Sequence, residues 1–158
     1  MNSEARDVRL GWTLVAVQFT LLGVIGYELL RSRRASGPAA ILGVTFGALG
    51  GLIATLAAKA LRCELTAHPA PTEGAVLRSD GLYGVVRHPI YSGLLLAGLG
   101  AVLIARTRRA AIALGALTTL FSVKSRFEEH LLRERFPEYE AYAVRVPRFA
   151  PRWPRWPR

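Results

Sequence analysis

At 158 residues and a formal net charge of +10, the chain has room for one domain and enough basic character to raise the question of a polyanionic partner. Its apolar residues, 51% of the total, are gathered into long blocks that leave little for a soluble core, and the arginines flank those blocks, which argues against a nucleic-acid-binding module. A single cysteine, Cys63, excludes a disulfide framework and a cysteine-based metal site, and His68, His88 and His130 lack metal-ligand spacing, so no metal is expected.

In chain order, residues 10–30 carry one charge, Glu28, and residues 38–61 also carry one, Lys59. Each segment is long enough to cross a bilayer, which takes about 20 apolar residues. Residues 90–105 and 110–123 carry no charge but are shorter. Together the four segments predict an all-α, polytopic membrane helical bundle of about four transmembrane helices, forming a single domain over 1–158. The first segment is expected to be retained. It is too long for a signal peptide, and "RSRRASG" follows it where a small-residue cleavage site would stand. In the second segment Gly43, Gly47 and Gly51 recur every four residues, with Thr55 continuing the row. Small residues at that spacing let helix backbones approach closely in lipid. Packing within the bundle is the expected use, and a homodimer through the Gly43/Gly47/Gly51 face is the alternative.

Residues 62–89 form a loop with Pro69, Pro71, Gly74, Gly81 and Gly84, too long for an idle turn. Pro89 suits the first turn of the third span, where its missing N–H costs nothing. The short "RTRR" connection predicts that spans three and four form an antiparallel hairpin, so the 62–89 loop and the tail after 123 meet at one membrane face. With four spans that face carries 15 of the 21 basic residues, against 6 on the other. The positive-inside rule then puts both termini, the loop and the 124–158 tail in the cytoplasm, the protein residing in the inner (cytoplasmic) membrane. An amphipathic helix is expected in the tail, and the terminal "RFAPRWPRWPR" has the Arg and Trp content of an interfacial anchor that meets membrane lipids.

The polar residues brought to that face are Tyr83, Arg87, His88, Tyr91, Lys124, Arg126, Glu128 and Glu129. Taken singly, each has an ordinary explanation as a lipid-phosphate contact, an interface aromatic or a solvated helix face. Their convergence from two segments marks the place as a candidate site.

"SDGLYGVVRHPIYSG", residues 79–93, resembles the signature loop of the isoprenylcysteine carboxyl methyltransferase family, which carries S-G-x-Y followed by R-H-P-x-Y. The tail "EEHLLRERFPEYEAYAVRVPRFAP" is similar to that family's ending, and order and spacing agree over roughly 62–150. Phospholipid N-methyltransferases share R-H-P-x-Y. The resemblance implies an integral-membrane enzyme that uses S-adenosylmethionine. It implies cofactor contacts at Tyr83, His88, Pro89, Tyr91 and Glu128, and one near His68, where the family has a glutamine. The family's functional arginine falls at Lys124, with Arg126 the nearest arginine, and F-G has become Phe136-Pro137.

The chemistry of these side chains suits such a cofactor. Aromatic faces attract a sulfonium cation, and a carboxylate favours an ammonium group. Lys124, Arg126 or Arg87 would orient an acceptor carboxylate, which is ionised at neutral pH and needs no base. An amine acceptor would instead need a base, with His88 or Glu129 as candidates. Three readings stand at this level. They are carboxyl O-methylation of a lipophilic acceptor of isoprenylcysteine type, methylation of a lipid amine or a small thiol or phenol, and an inactive bundle that binds lipid or a partner.

Overall fold

The computed structural model describes residues 3–32, 36–61 and 77–152, and every regular element among them is helical. His68, the proline-rich part of the loop and the terminal residues 153–158 lie outside the described residues.

Helix α1 (Ser3–Arg31) and helix α2 (Pro38–Leu61) contain the two stretches long and apolar enough to cross a membrane, Gly11–Arg31 and Pro38–Leu61, with mean hydropathies of 1.7 and 2.0. Their outer faces expose Trp12, Phe19, Ile41, Val44 and Leu52, a surface that hydrocarbon rather than water would solvate. The hydroxyls on these helices suit that solvent. Thr20 donates to the Ala16 carbonyl, Thr45 to Ile41 and Thr55 to Gly51, each one turn back, so these three hydroxyls do not need water.

A five-residue helix, α3 (Gly81–Val85), leads into α4 (Pro89–Ala105), which starts at Pro89 as the sequence predicts. At 17 residues α4 spans about 25 Å, short of the roughly 30 Å hydrocarbon core. It stops at Arg106, which turns left-handed at φ 54°, and Thr107 caps α5 by accepting from the Ala110 N–H at 3.2 Å. This two-residue turn makes the predicted hairpin. Helix α5 (Arg108–Arg135) does not break near 123. It continues as one helix through the predicted span and into the tail, because Lys124 to Arg135 are good helix formers and the first proline comes at 137. Only a short helix, α6 (Tyr139–Arg145), follows, so the expected tail helix is the second half of α5 plus α6.

The helices pack at two seams. Ile25 of α1 meets Ala101 of α4 and Ala113, Leu117 and Phe121 of α5 in one apolar core. Arg109 and Glu28, 3.9 Å apart, join α1 to α5 at the hairpin end. The other seam, between α2 and α4, is closed by small residues. A Cβ built on Gly50 would lie 2.4 Å from the Ala97 nitrogen and 2.5 Å from the Gly93 carbonyl oxygen. One on Gly100 would lie 2.4 Å from the Gly43 carbonyl oxygen. The predicted glycine row is therefore divided. Gly43 and Gly47 are taken up inside the chain, so the Gly43/Gly47/Gly51 face is not free as a whole for a second copy. Gly51 and Thr55 point outward, and the seam runs through Gly43, Gly47, Gly50, Ala54 and Ala57, alternately four and three residues apart.

This seam yields a paired prediction. Gly50→Ala should cost about 1–3 kcal/mol through overpacking. Gly51→Ala, with nothing within 4 Å of its Cβ, should be neutral or stabilise by up to about 1 kcal/mol through better helix propensity. Melting temperatures in one detergent separate them, and equal effects would mean that the seam is not where the structure puts it.

Candidate functional site

The candidate site forms where the start of α4, the second half of α5 and the tail segment 146–149 meet. On α5, Phe121, Lys124, Ser125, Glu128 and Glu129 fall on one face at helical spacing, and all but Glu128 are buried or nearly so. That face presents the acidic pair to the junction residues Arg87 and His88.

Glu129 has no exposure to solvent and is enclosed by cations from two directions. From the junction, Arg87 donates through Nε and Nη2 to Oε1 at 3.2 and 3.1 Å, and His88 Nε2 lies 3.1 Å from the same oxygen. From the far tail, Arg148 donates through Nε to Oε1 at 2.8 Å and through Nη2 to Oε2 at 2.7 Å, a two-pronged grip. Burial alone would raise the carboxyl pKa. Hydrogen bonds from His88 and Arg148 and the charge of Arg87 outweigh it and hold the group well below the usual carboxylate range.

The backbone closes over the same contact. The N–H groups of Arg87 and His88 donate to the carbonyls of Pro147 and Arg148 at 2.8 and 3.1 Å, and Ser92 Oγ donates to the Phe149 carbonyl at 2.7 Å. Arg87 Nη1 also donates to the carbonyls of Ala143 and Val146, just where α6 ends. A second layer pins α3. Tyr83 donates to the Ala57 carbonyl of α2 at 3.4 Å, and Tyr142 donates to the Tyr83 carbonyl at 2.6 Å. Burial chiefly raises the Tyr142 hydroxyl, to about 12, so it remains a donor throughout the working range.

Toward the bundle a column of rings continues from the cluster. His88 stacks on Tyr91 with centroids 5.5 Å apart, Tyr91 stacks on Phe121 at 4.3 Å, and Phe149 leans on His88 at 5.9 Å. The Tyr91 hydroxyl donates to Glu128 Oε1, and His88 Nδ1 lies 3.4 Å from Glu128 Oε2. Lys124, 1% exposed, carries its ammonium 5.4 Å from the Tyr91 ring centre and donates to Gln18 Oε1 of α1 at 2.9 Å.

His88 thus bridges two carboxylates with its two ring nitrogens. Burial by itself would lower its pKa, but the hydrogen bonds to Glu128 and Glu129 outweigh it and raise the value above the ordinary 6.5, favouring the imidazolium. A ring held this way is a clamp rather than a free base. Glu129, kept ionised by its cations, is an equally poor proton acceptor.

The predicted site residues are therefore unequally placed. Tyr91, His88, Glu128 and Lys124 come together around one ring column. Pro89 is fully buried at the start of α4, and Tyr83 anchors α3 to α2 and α6. Two candidates for orienting an acceptor lie away from that column. Arg87 directs its guanidinium at Glu129 and the tail carbonyls, tying loop to tail, while Arg126 is exposed, off the buried face of α5. Sequence reasoning missed Arg148, Phe149 and Gln18. The signal for Gln18 was present, since it is the one amide inside an apolar span.

Comparison with known proteins adds a family. Residues 38–139 match the phospholipid methyltransferase family. The nickel-cobalt-cadmium resistance protein NccN of Alcaligenes xylosoxydans xylosoxydans is 37% identical over 111 residues, covering 69% of this chain and 50% of that protein. The cobalt-zinc-cadmium resistance protein CzcN of Cupriavidus metallidurans is 35% identical over 111 residues, 69% of this chain and 49% of its own length. Protein-S-isoprenylcysteine O-methyltransferase B of Arabidopsis thaliana is 35% identical over 77 residues, 48% of this chain and 39% of that one. The chain thus spans about half or less of the length of these relatives.

The cluster predicts how stability varies with pH. Glu129, lowered in the fold, contributes fully above its unfolded value near 4.5, and that contribution fades as pH falls toward the folded value. His88, raised in the fold, contributes fully below its unfolded value near 6.5 and loses this as pH rises through the folded value. The melting temperature in detergent should therefore peak between about pH 5 and 6.5. Glu129→Ala, which strands buried cations, should cost about 3–5 kcal/mol. A flat pH profile, or a Glu129→Ala protein as stable as the parent, would contradict the arrangement.

Proposed function

Because the chain belongs to the phospholipid methyltransferase family, we propose that it is an integral-membrane methyltransferase that uses S-adenosylmethionine to methylate the carboxylate of a lipophilic acceptor, of isoprenylcysteine type. The observation that carries the choice of acceptor is the engagement of both His88 nitrogens by carboxylates, with Glu129 enclosed by cations. An amine or thiol must lose a proton to react, and neither of these two groups is free to take one. A carboxylate is ionised already and needs orientation alone.

The donor set fits the cofactor. The Tyr91 face already lies beneath a cation, that of Lys124, as a ring that receives a sulfonium should. Glu128 has a neutral phenol and a shared imidazole as partners, so its lone pairs can also hold an ammonium group. When bound, the cofactor supplies a methyl group on positively charged sulfur. The chain's own residues then do three things. Glu128 and Tyr91 hold the donor, His88 fixes both of them through hydrogen bonding and stacking, and Lys124 offers its charge to the acceptor carboxylate. A divalent metal is a poorer occupant of this place, since Arg87, Arg148 and His88 would repel it. The distribution of basic residues supports a cytoplasmic site in the inner membrane with both termini on that side.

The test is methyl transfer from labelled donor by the detergent-solubilised protein to three acceptors, namely a prenylated cysteine carboxylate, phosphatidylethanolamine and a small thiol. Label should enter the first and be released by mild base, with turnover retained at pH 6. Base-stable label in phosphatidylethanolamine, with activity falling steeply below pH 6.5, would replace the carboxylate reading with an amine one. Glu128→Gln should weaken binding of S-adenosylhomocysteine by roughly ten- to hundred-fold, the loss of one charge-assisted contact. Unchanged affinity would remove Glu128 from the cofactor's surroundings.

A further inference from the structure

Arg148 lies beyond residues 38–139, the stretch matched to the family, yet its side chain ends on the carboxylate that holds His88. Oε1 of that carboxylate, Glu129, is crowded. It accepts from Arg87 Nε and Nη2 at 3.2 and 3.1 Å and from Arg148 Nε at 2.8 Å, and His88 Nε2 lies 3.1 Å away. Arg133 Nη2 stands 4.0 Å from Oε2. Among the described residues, Arg148 alone hydrogen-bonds both oxygens, its planar fork meeting the carboxylate along one edge. Arg87 supplies charge to one oxygen. Arg148 also sets the plane of the group, and the plane decides where Oε1 points.

That plane matters because His88 is held at both ring nitrogens. Nε2 rests on Glu129 and Nδ1 lies 3.4 Å from Glu128 Oε2, while the ring stacks on Tyr91, whose hydroxyl donates to Glu128. Turning the Glu129 carboxylate would draw the imidazole off the Tyr91 ring and away from Glu128. The tail backbone gives the grip a fixed origin, since the Arg148 carbonyl accepts from the His88 N–H at 3.1 Å and the Phe149 carbonyl from Ser92 Oγ at 2.7 Å. Arg148 therefore holds His88 twice, at the backbone through its carbonyl and at the ring through Glu129.

We propose that Arg148 is a positioning residue for the methyl donor: by fixing the plane of the Glu129 carboxylate it fixes His88, and through His88 the Glu128 and Tyr91 side chains that receive S-adenosylmethionine. The inference rests on the methyltransferase reading for the identity of the ligand, and it makes the tail part of the donor site. Donor binding and tail seating are then linked, and such a coupling is reciprocal, so a bound donor holds the tail down.

The test separates the charge of Arg148 from its fork. Arg148→Lys keeps a cation beside Glu129 but offers a point charge that cannot span both oxygens in one plane. In detergent this variant should melt within about 4 °C of the unaltered protein. Its affinity for S-adenosylhomocysteine should nevertheless fall about ten-fold, and KM for the donor should rise to match while KM for the acceptor stays within about two-fold. Arg152→Lys, in the same tail but bound to the carbonyls of Val144 and Arg145, should leave that affinity unchanged. In protein carrying isotopically labelled histidine, the proton on His88 Nε2 should exchange slowly with water, and Arg148→Lys should make it exchange fast. S-adenosylhomocysteine added to the unaltered protein should slow exchange of the Arg87 and His88 amides, which the tail carbonyls cover, by about ten-fold. Unchanged S-adenosylhomocysteine affinity in Arg148→Lys overturns the proposal, as do amide exchange rates in the unaltered protein that ignore the ligand. If the unaltered protein binds no S-adenosylhomocysteine, the methyltransferase reading falls, and the His88 ring proton decides on Arg148 alone. A ring proton that depends on Arg148 preserves its positioning of His88, and one that does not overturns it.

Discussion

A carboxylate sealed from water must be matched by positive charge at close range, because the desolvation cost amounts to several kcal/mol per ion. Glu129 meets this requirement with groups from two distant stretches of sequence, Arg87 and His88 at the loop–helix junction and Arg148 near the end of the tail. The tail can be laid across the start of α4 only if both sets of donors reach it together. The backbone bonds between 87–88 and 147–148, the seating of Phe149 on His88 and the capping of α6 by Arg87 all follow from that one convergence. One buried anion thereby converts a loop and a tail into a single wall.

Much of this architecture is legible in the residues themselves. The runs around Leu21 and Gly47 can only be apolar helices, Pro89 can only open one, and four residues between two apolar segments can only make a hairpin. Convergence of the loop and the tail follows from the hairpin alone. What periodicity could not give was the continuity of α5. Its hydropathy changes abruptly at Lys124, but helix propensity does not, and the backbone follows propensity. The glycine row serves the packing within the bundle that its spacing suggests, though only in its first two members. A four-residue spacing describes a straight stripe on one helix, whereas the α2–α4 contact runs through 43, 47, 50, 54 and 57, alternating four and three residues, as helices packed nearly along one another require.

The site was half legible. Residue types and their convergence picked out His88, Tyr91, Glu128 and Lys124, but roles depend on partners that no spacing reveals. Arg87 and Arg126 look equally available in the sequence, and burial assigns one to the scaffold and the other to the surface. His88 and Glu129 look like bases until each is seen to occupy the other. Gln18 joins the site only through tertiary contact, since its neighbours in sequence are those of any membrane helix.

Because α5 is one uninterrupted helix, it would also fix how deep the proposed chemistry lies if it crosses the bilayer as its apolar half predicts. From its cap at Thr107 to Lys124 is about 26 Å of helix at 1.5 Å per residue, a few ångströms less than the hydrocarbon thickness. In the proposed membrane placement the far turn, with Arg106 and Arg109 exposed, would stand at headgroup level. Lys124 and the Tyr91 ring beside it would then lie toward the opposite headgroups. A molecule dissolved in that leaflet could present its polar end there without being lifted out of the bilayer. The rigid rod would set that depth, so a bilayer of different thickness would raise or sink the proposed site as a unit.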